Sequence, residues 1–134
     1  MTSPRFRLLP HTADVRLAVW GMNETDLLRN AVTGALTCAL DGPPRGSPVR
    51  LHAVDRWPDD LSARLVRTVN EALFLLYVRR EVALDVHLGD EGAALAVAPL
   101  PEGCVPVVEI KAATFHALEV VRQPRLRAVI TMDL

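Results

Sequence analysis

The spacing of apolar residues changes at Arg80, and this switch constrains the fold more than any other feature of the chain. Before it, two segments repeat apolar residues every three or four positions. Beyond it, apolar and polar residues only alternate, with no further helical stripe. In the first helical segment the pairs Leu27/Leu28, Ala31/Val32, Ala35/Leu36 and Ala39/Leu40 follow at four-residue steps. Asn23 is a ready N-cap, Glu24 and Asp26 suit a positive first turn, and Asp41-Gly42 stops the helix with glycine expected in the left-handed position. In the second segment Leu61, Leu65, Val69, Leu73 and Leu76 form an inward stripe after Pro58-Asp59-Asp60, with Arg64, Arg67 and Glu71 toward solvent.

Strand patterns fill the rest. Arg5 to Leu9 reads as a short first strand, and Val15, Leu17 and Val19 alternate with Asp14, Arg16 and Ala18 in a second, ended by Gly21. Val49, Leu51 and Ala53 alternate between the helices. Past the switch, Val82 to Leu88 and Ala93 to Ala98 flank Gly89-Asp90-Glu91-Gly92 as a hairpin. Three further runs follow: Val105 to Lys111, Thr114 to Val121 and Arg125 to Leu134, the last two joined by a turn near Gln123-Pro124. The order predicts an α+β fold in a single domain, residues 1–134, with two helices packed on a mixed, largely antiparallel multi-stranded sheet. The stretch from Asp41 to Pro48, dense in glycine and proline, reads as a connection inside that domain.

Charge disfavours one class of function, direct and tight binding of RNA or DNA. Lys+Arg number 15 against 16 Asp+Glu, a formal net charge of −1, so no bulk basic field holds nucleic acid by phosphate neutralisation alone. A local basic patch stays open, because 14 of the 15 positive charges are arginine, with Lys111 the only lysine. Two cysteines, Cys38 and Cys104, are too few for a disulfide framework, and neither has a zinc-like or activated context. The N-terminal residues lack the apolar core of a signal peptide, and no stretch approaches the roughly 18 apolar residues of a membrane span. A cytoplasmic, membrane-free protein is the expectation.

Few polar residues stand out as chemistry. His11 and Asp14 bracket the start of the second strand, and Glu109, Lys111, His116 and Glu119 lie on neighbouring C-terminal strands. His11 fits a hydrogen-bonded turn or a base or ligand; Glu109, Lys111 and Glu119 fit cross-strand ion pairs. His52 and His87 occupy outward strand positions and read as solvated. In the last strand Leu126, Ala128, Ile130, Met132 and Leu134 share one face, and Arg127, Val129, Thr131 and Asp133 the other. Asp133 is either a solvated tail charge or, if Asp14 joins it and the terminal carboxylate of Leu134, part of a three-oxygen set suited to calcium or magnesium. No phosphate loop, nucleophile elbow or nucleophile–base–orienter set is present, so an autonomous enzyme is poorly supported.

Pro10-His11-Thr12-Ala13-Asp14-Val15 with Gly21, Asn70-Glu71-Ala72-Leu73, Ile110-Lys111-Ala112-Ala113-Thr114-Phe115-His116-Ala117-Leu118-Glu119-Val120 and Val129-Ile130-Thr131-Met132-Asp133-Leu134 together resemble the archease family, in order along essentially the whole chain. The resemblance implies a non-catalytic protein cofactor of the RtcB-type RNA ligase. That ligase joins RNA 3′-phosphate and 5′-hydroxyl ends in tRNA splicing and RNA repair, after guanylylation by GTP with manganese. The cofactor promotes guanylylation and multiple turnover, and meets RNA only through the ligase. Carried over by position, the family metal site falls on Asp14, Asp133 and Leu134, with calcium expected and magnesium or manganese as alternatives. Lys111, His116 and Glu119 match the family run without an assigned role. Phe115 and Ala117 stand where the family often has tyrosine and glycine. A chaperone-like module for RNA-modifying enzymes and a stand-alone metal-dependent hydrolase are the competing readings; the hydrolase would want a second acidic cluster that the sequence lacks.

Overall fold

The computed structural model describes residues 5–9 and 14–134, with the side chains of Leu9 and of residues 115–119 outside the description. Its elements run β1 (Phe6–Leu9), β2 (Asp14–Gly21), α1 (Glu24–Leu40), β3 (Arg50–Ala53), α2 (Leu61–Phe74), β4 (Glu81–Gly89), β5 (Gly92–Pro99), β6 (Ala112–Val121) and β7 (Leu126–Asp133). The α+β class stands, and the strands divide into two sheets. One has the order β1-β2-β7-β6 and the other β3-β5-β4. Every described pairing is antiparallel.

The helices begin where side-chain oxygens satisfy their first amides. Asn23 Oδ1 accepts from the Asp26 N–H at 2.8 Å, and Asp60 Oδ2 accepts from the Ala63 N–H at 3.1 Å. Helix α1 ends differently from the expectation. Asp41, and not Gly42, takes the left-handed conformation at φ 55°, which aspartate tolerates better than most residues, and the Gly42 N–H reaches back to the Thr37 carbonyl at 3.1 Å. Helix α2 runs on into a wider π-helical turn, Leu75–Arg79, closed by Arg80 at φ 53°. None of the helices is long and apolar enough to cross a membrane, among the described residues.

One continuous core joins the two sheets through α1, which buries Leu27, Leu28, Ala31, Val32, Ala35, Leu36 and Ala39. The strand faces turned to it are Leu17 and Val19 of β2, Ile130 and Met132 of β7, and Val82, Val86, Leu95 and Val97 of β4 and β5, all within 1% of complete burial. The β2–α1 junction needs Gly21, since a Cβ there would stand 2.5 Å from the Leu27 nitrogen. On the far side of the three-stranded sheet the proline-rich connection lies against the strands. A Cβ on Gly46 would sit 3.4 Å from Ala98 Cβ and 3.6 Å from Leu84 Cδ1.

One expected strand is not a strand. Residues 105–111 alternate as predicted, with Val105 and Val107 exposed and Ile110 buried, but they form no strand of either sheet. Their backbone groups find partners elsewhere. The Val107 and Val108 N–H groups donate to the Ala39 carbonyl at 2.7 and 3.2 Å, one of the carbonyls a helix end leaves open. The Tyr77 hydroxyl accepts from the Ile110 N–H at 2.9 Å and donates to the Val108 carbonyl at 2.6 Å. A period-two pattern reports an extended chain with one side inward, and here a helix end and a phenol take the place of a neighbouring strand.

Candidate metal centre

The register of two strands builds the site. Residues of β2 and β7 pair from Gly21↔Leu126 through Leu17↔Ile130 to Asp14↔Asp133, without a shift. Residues directly opposed in an antiparallel pair send their side chains to the same face, with Cβ atoms about 4.5–5.5 Å apart. Since Leu17 and Ile130 face the core, the odd step places Asp14 and Asp133 together on the opposite face, at the end of the sheet. Asp133 is exposed and Asp14 half-buried. Leu134, the next residue, is 44% exposed.

Two carboxylates in direct cross-strand opposition repel, so the pairing is costly unless a positive charge shares it. All the oxygens are hard donors of the kind calcium and magnesium take. Among the described residues no three His, Cys, Asp or Glu side chains gather as a metal cluster, so an ion held by Asp14 and Asp133 would need main-chain oxygen or water to complete its shell.

Helix α2 and the turn after it hold this end of the sheet in place. Asn70 clamps the backbone of Ala113 from both sides: its Nδ2 donates to the Ala113 carbonyl at 3.0 Å, and its Oδ1 accepts from the Ala113 N–H at 2.7 Å. Tyr77 grips the segment just before, and burial pushes its phenol pKa up against the opposing effect of the Ile110 N–H. Between these anchors the Lys111 N–H donates to the Asp133 carbonyl at 2.8 Å. Lys111 therefore stands at the same tip as the aspartates, with its side chain exposed. Asn70 and Tyr77 escape a search for reactive side chains; the available signal is a polar amide and a phenol beside the apolar stripe of the second helix.

One row inboard, Arg16 pairs with Thr131 and Thr131 with Thr114. Arg16 Nε, Thr114 Oγ1 and Thr131 Oγ1 are all buried without a hydrogen-bond partner, and Thr131 is only 2% exposed. This polar row shares the face of the aspartates.

The remaining candidates scatter. His11 lies outside the described residues, as do the side chains of His116 and Glu119. Glu109 is exposed in the segment held by Tyr77. His52 is a correction: it faces α2, and its Nε2 lies 2.6 Å from Glu71 Oε1, so neither it nor Glu71 is simply solvated. His87 is exposed as expected. Cys38 and Cys104 are free thiols, half-buried, and burial pushes the Cys38 pKa up, away from reactivity.

Comparison with known proteins yields one family. The model of the archease protein family matches residues 6–134. A probable archease from Mycobacterium tuberculosis is 34% identical over 92 residues, which cover 66% of this chain and 49% of the relative. An archease from Archaeoglobus fulgidus is 29% identical over 90 residues, covering 64% and 65%. The chain thus spans about half the length of the mycobacterial relatives it matches. In solved structures, a Thermotoga maritima protein described as an archease and possible chaperone superposes with a TM-score of 0.68 at 18% identity, covering 100% of this chain and 98% of its own. A Methanobacterium thermoautotrophicum protein superposes with a TM-score of 0.64 at 21% identity, covering 98% and 100%.

Proposed function

The chain belongs to the archease family, and on that premise we propose that it is a non-catalytic protein cofactor of an RtcB-type RNA ligase, acting through a divalent-metal tip. The observation that carries this reading is the Asp14↔Asp133 register, which brings together two residues 119 positions apart in the chain (133 − 14). Asp14, Asp133 and the Leu134 main-chain oxygen would hold the ion, calcium before magnesium or manganese. Bound there, it would neutralise the carboxylate pair and present positive charge at the tip.

The chain's own residues do the rest. The Asn70 and Tyr77 anchors hold β6 and Lys111 against Asp133, so the tip meets a partner as a preformed surface. A protein that raises a partner's rate without chemistry of its own must bind one conformation of that partner better than another. Here that conformation is the one in which the ligase accepts guanylate. RNA joining is the ligase's reaction, in tRNA splicing or in repair, and a cytoplasmic setting follows from this role.

Multiple-turnover joining of 3′-phosphate and 5′-hydroxyl RNA by the ligase from the same source, with GTP and manganese, tests the reading. The native chain is expected to stimulate joining at least tenfold, and Asp14→Ala and Asp133→Ala to lose most of that while keeping the native melting temperature. Equal stimulation by both variants would remove the metal tip from the mechanism. Absence of any stimulation, with an active ligase, would favour the chaperone-like reading suggested by the description of the Thermotoga maritima relative.

A further inference from the structure

The outer face of the four-stranded sheet carries a second polar feature, about 20 Å from Asp14 at the usual strand rise over six residues. There, Arg7, Ala18, Trp20, Arg125, Arg127 and Val129 line an open concavity of about 450 Å³. Ala18 and Val129 are direct cross-strand partners and form its floor, while Trp20 and Arg127 pair in the next row. Arg125 lies over the Trp20 indole, its Cζ 5.3 Å from the ring centroid. The three arginines are exposed.

These guanidinium groups differ from the four that form ion pairs. Arg5, Arg29, Arg50 and Arg64 each pair with a carboxylate. Among the described residues no carboxylate pairs with Arg7, Arg125 or Arg127. Three cations without a carboxylate partner surround the indole and a small flat floor, and of them only Arg125 already lies with its plane on the Trp20 ring.

We propose that this face binds single-stranded nucleic acid, with phosphates on Arg7, Arg125 and Arg127 and a base stacked beside Trp20. Guanidinium recognises phosphate oxygens in a fork and stacks on flat rings, and an aromatic with interleaved arginine is the usual platform for unpaired bases. The cations are spread out. Arg7 on β1 and Arg127 on β7 stand two strand spacings apart, about 10 Å, and on different rows. That suits successive phosphates of an extended strand better than one compact anion. An acidic protein surface would neutralise the arginines and leave the indole without a role. The net charge of −1 keeps the contact local. Affinity is on the order of 10⁻⁴ to 10⁻⁶ M, with a log–log salt slope of about −2 for three phosphates. The inference stands on this groove alone, does not depend on the ligase, and departs from the expectation that RNA is met only through it.

The chain has two tryptophans, so Trp57→Phe isolates the Trp20 signal. Titration of that variant with a ten-nucleotide oligouridylate, at 20 mM salt and with EDTA, is expected to quench its fluorescence. Anisotropy of a labelled oligonucleotide on the native chain gives the same reading should Trp57→Phe fold poorly. Adding Arg7→Ala and Arg127→Ala is expected to weaken binding at least tenfold and flatten the salt slope by about 1.4, with an unchanged melting temperature. Three outcomes overturn the proposal: no binding at 20 mM salt, binding undiminished by loss of both arginines, or polyglutamate binding as tightly as the oligonucleotide, which would mark an acidic protein as the partner. Since neither ligase nor free divalent ion enters the assay, a negative result leaves the reading of the Asp14–Asp133 tip untouched.

Discussion

The two sheets treat their polar groups in opposite ways. In the three-stranded sheet, charge is satisfied internally. Arg50 of β3 bonds Glu81 of β4 at 2.5 and 2.8 Å, His52 of β3 meets Glu71 of α2, and Asp85 of β4 pairs with Arg29 of α1. Its far face is partly covered by the proline-rich connection. In the four-stranded sheet the far face holds two opposed aspartates, a row of buried hydroxyl and guanidinium atoms without partners, and exposed arginines without a carboxylate among the described residues. Buried polar atoms are normally paired, and like charges in cross-strand opposition are normally avoided. One sheet thus pairs its charges within the fold, whereas the far face of the other keeps the buried Arg16 Nε, Thr114 Oγ1 and Thr131 Oγ1 without hydrogen-bond partners.

The largest effect expected from breaking this contrast concerns the edges. Strand β6 lies at the edge of the open sheet, and its start depends on the Asn70 clamp. Asn70→Ala leaves the N–H and carbonyl of Ala113, a residue only 3% exposed, without partners. A loss of about 2–3 kcal/mol in denaturant-derived stability is expected. Hydrogen exchange should quicken at residues 110–114 while β4 and β5 stay protected. Uniform loss of protection over both sheets would show that the edge is not separately held.

A smaller effect of opposite sign sharpens the comparison. Thr131→Val keeps shape and removes one buried hydroxyl without a partner, so it should leave the protein as stable or up to about 1 kcal/mol more stable. A clear loss of stability in chemical denaturation would mean that this hydroxyl is satisfied in solution and that the row is structural after all.

Acid gives the smallest effect, and it belongs to the closed sheet. The Arg50 bond holds the Glu81 pKa below its ordinary value. At Asp85 burial pushes upward, but the Arg29 bond, the Val86 N–H and nearby positive charge outweigh it and leave the pKa lowered. A depressed folded-state pKa contributes stability above the unfolded value and loses it as pH falls through the folded one. Both contributions are therefore intact at neutral pH and fade as the pH falls through the ordinary carboxylate range and below it. A fraction of a kcal/mol should disappear between about pH 5 and 3 from each, and Arg29→Met and Arg50→Met should flatten that part of the stability profile. Profiles identical to the native one would show that these pairs are too well solvated to matter.

Local physics was legible in the chain as written. Asn23 and Asp60 announce the helix starts because a side-chain oxygen beside a run of unpaired amides needs no distant partner. Leu126, Ala128, Ile130 and Met132 separate from Arg127, Thr131 and Asp133 because a pleated strand alternates its faces wherever it is placed. Partners are a different matter. His52 carries the signature of a solvated strand residue, and only the seating of α2 brings Glu71 to it. Residues 105–111 carry the alternation of a strand, and only the end of α1 and Tyr77 decide that their amides go elsewhere. Arg7, Trp20, Arg125 and Arg127 sit on three strands and a turn and meet only when the sheet forms.

The candidate tip divides along the same line. The sequence determined that Asp14 and Asp133 each lie at the end of a strand, on the side away from the core, and the family resemblance joined them as a site. Their opposition was decided by register. Alternation has period two, so sliding β7 along β2 by two residues would keep every side chain on its own face. The same slide would carry Asp133 about 6.7 Å from Asp14. What holds the register is the fit of Leu17 with Ile130 and Val15 with Met132 under α1, a packing of residues distant in the chain that no local pattern contains.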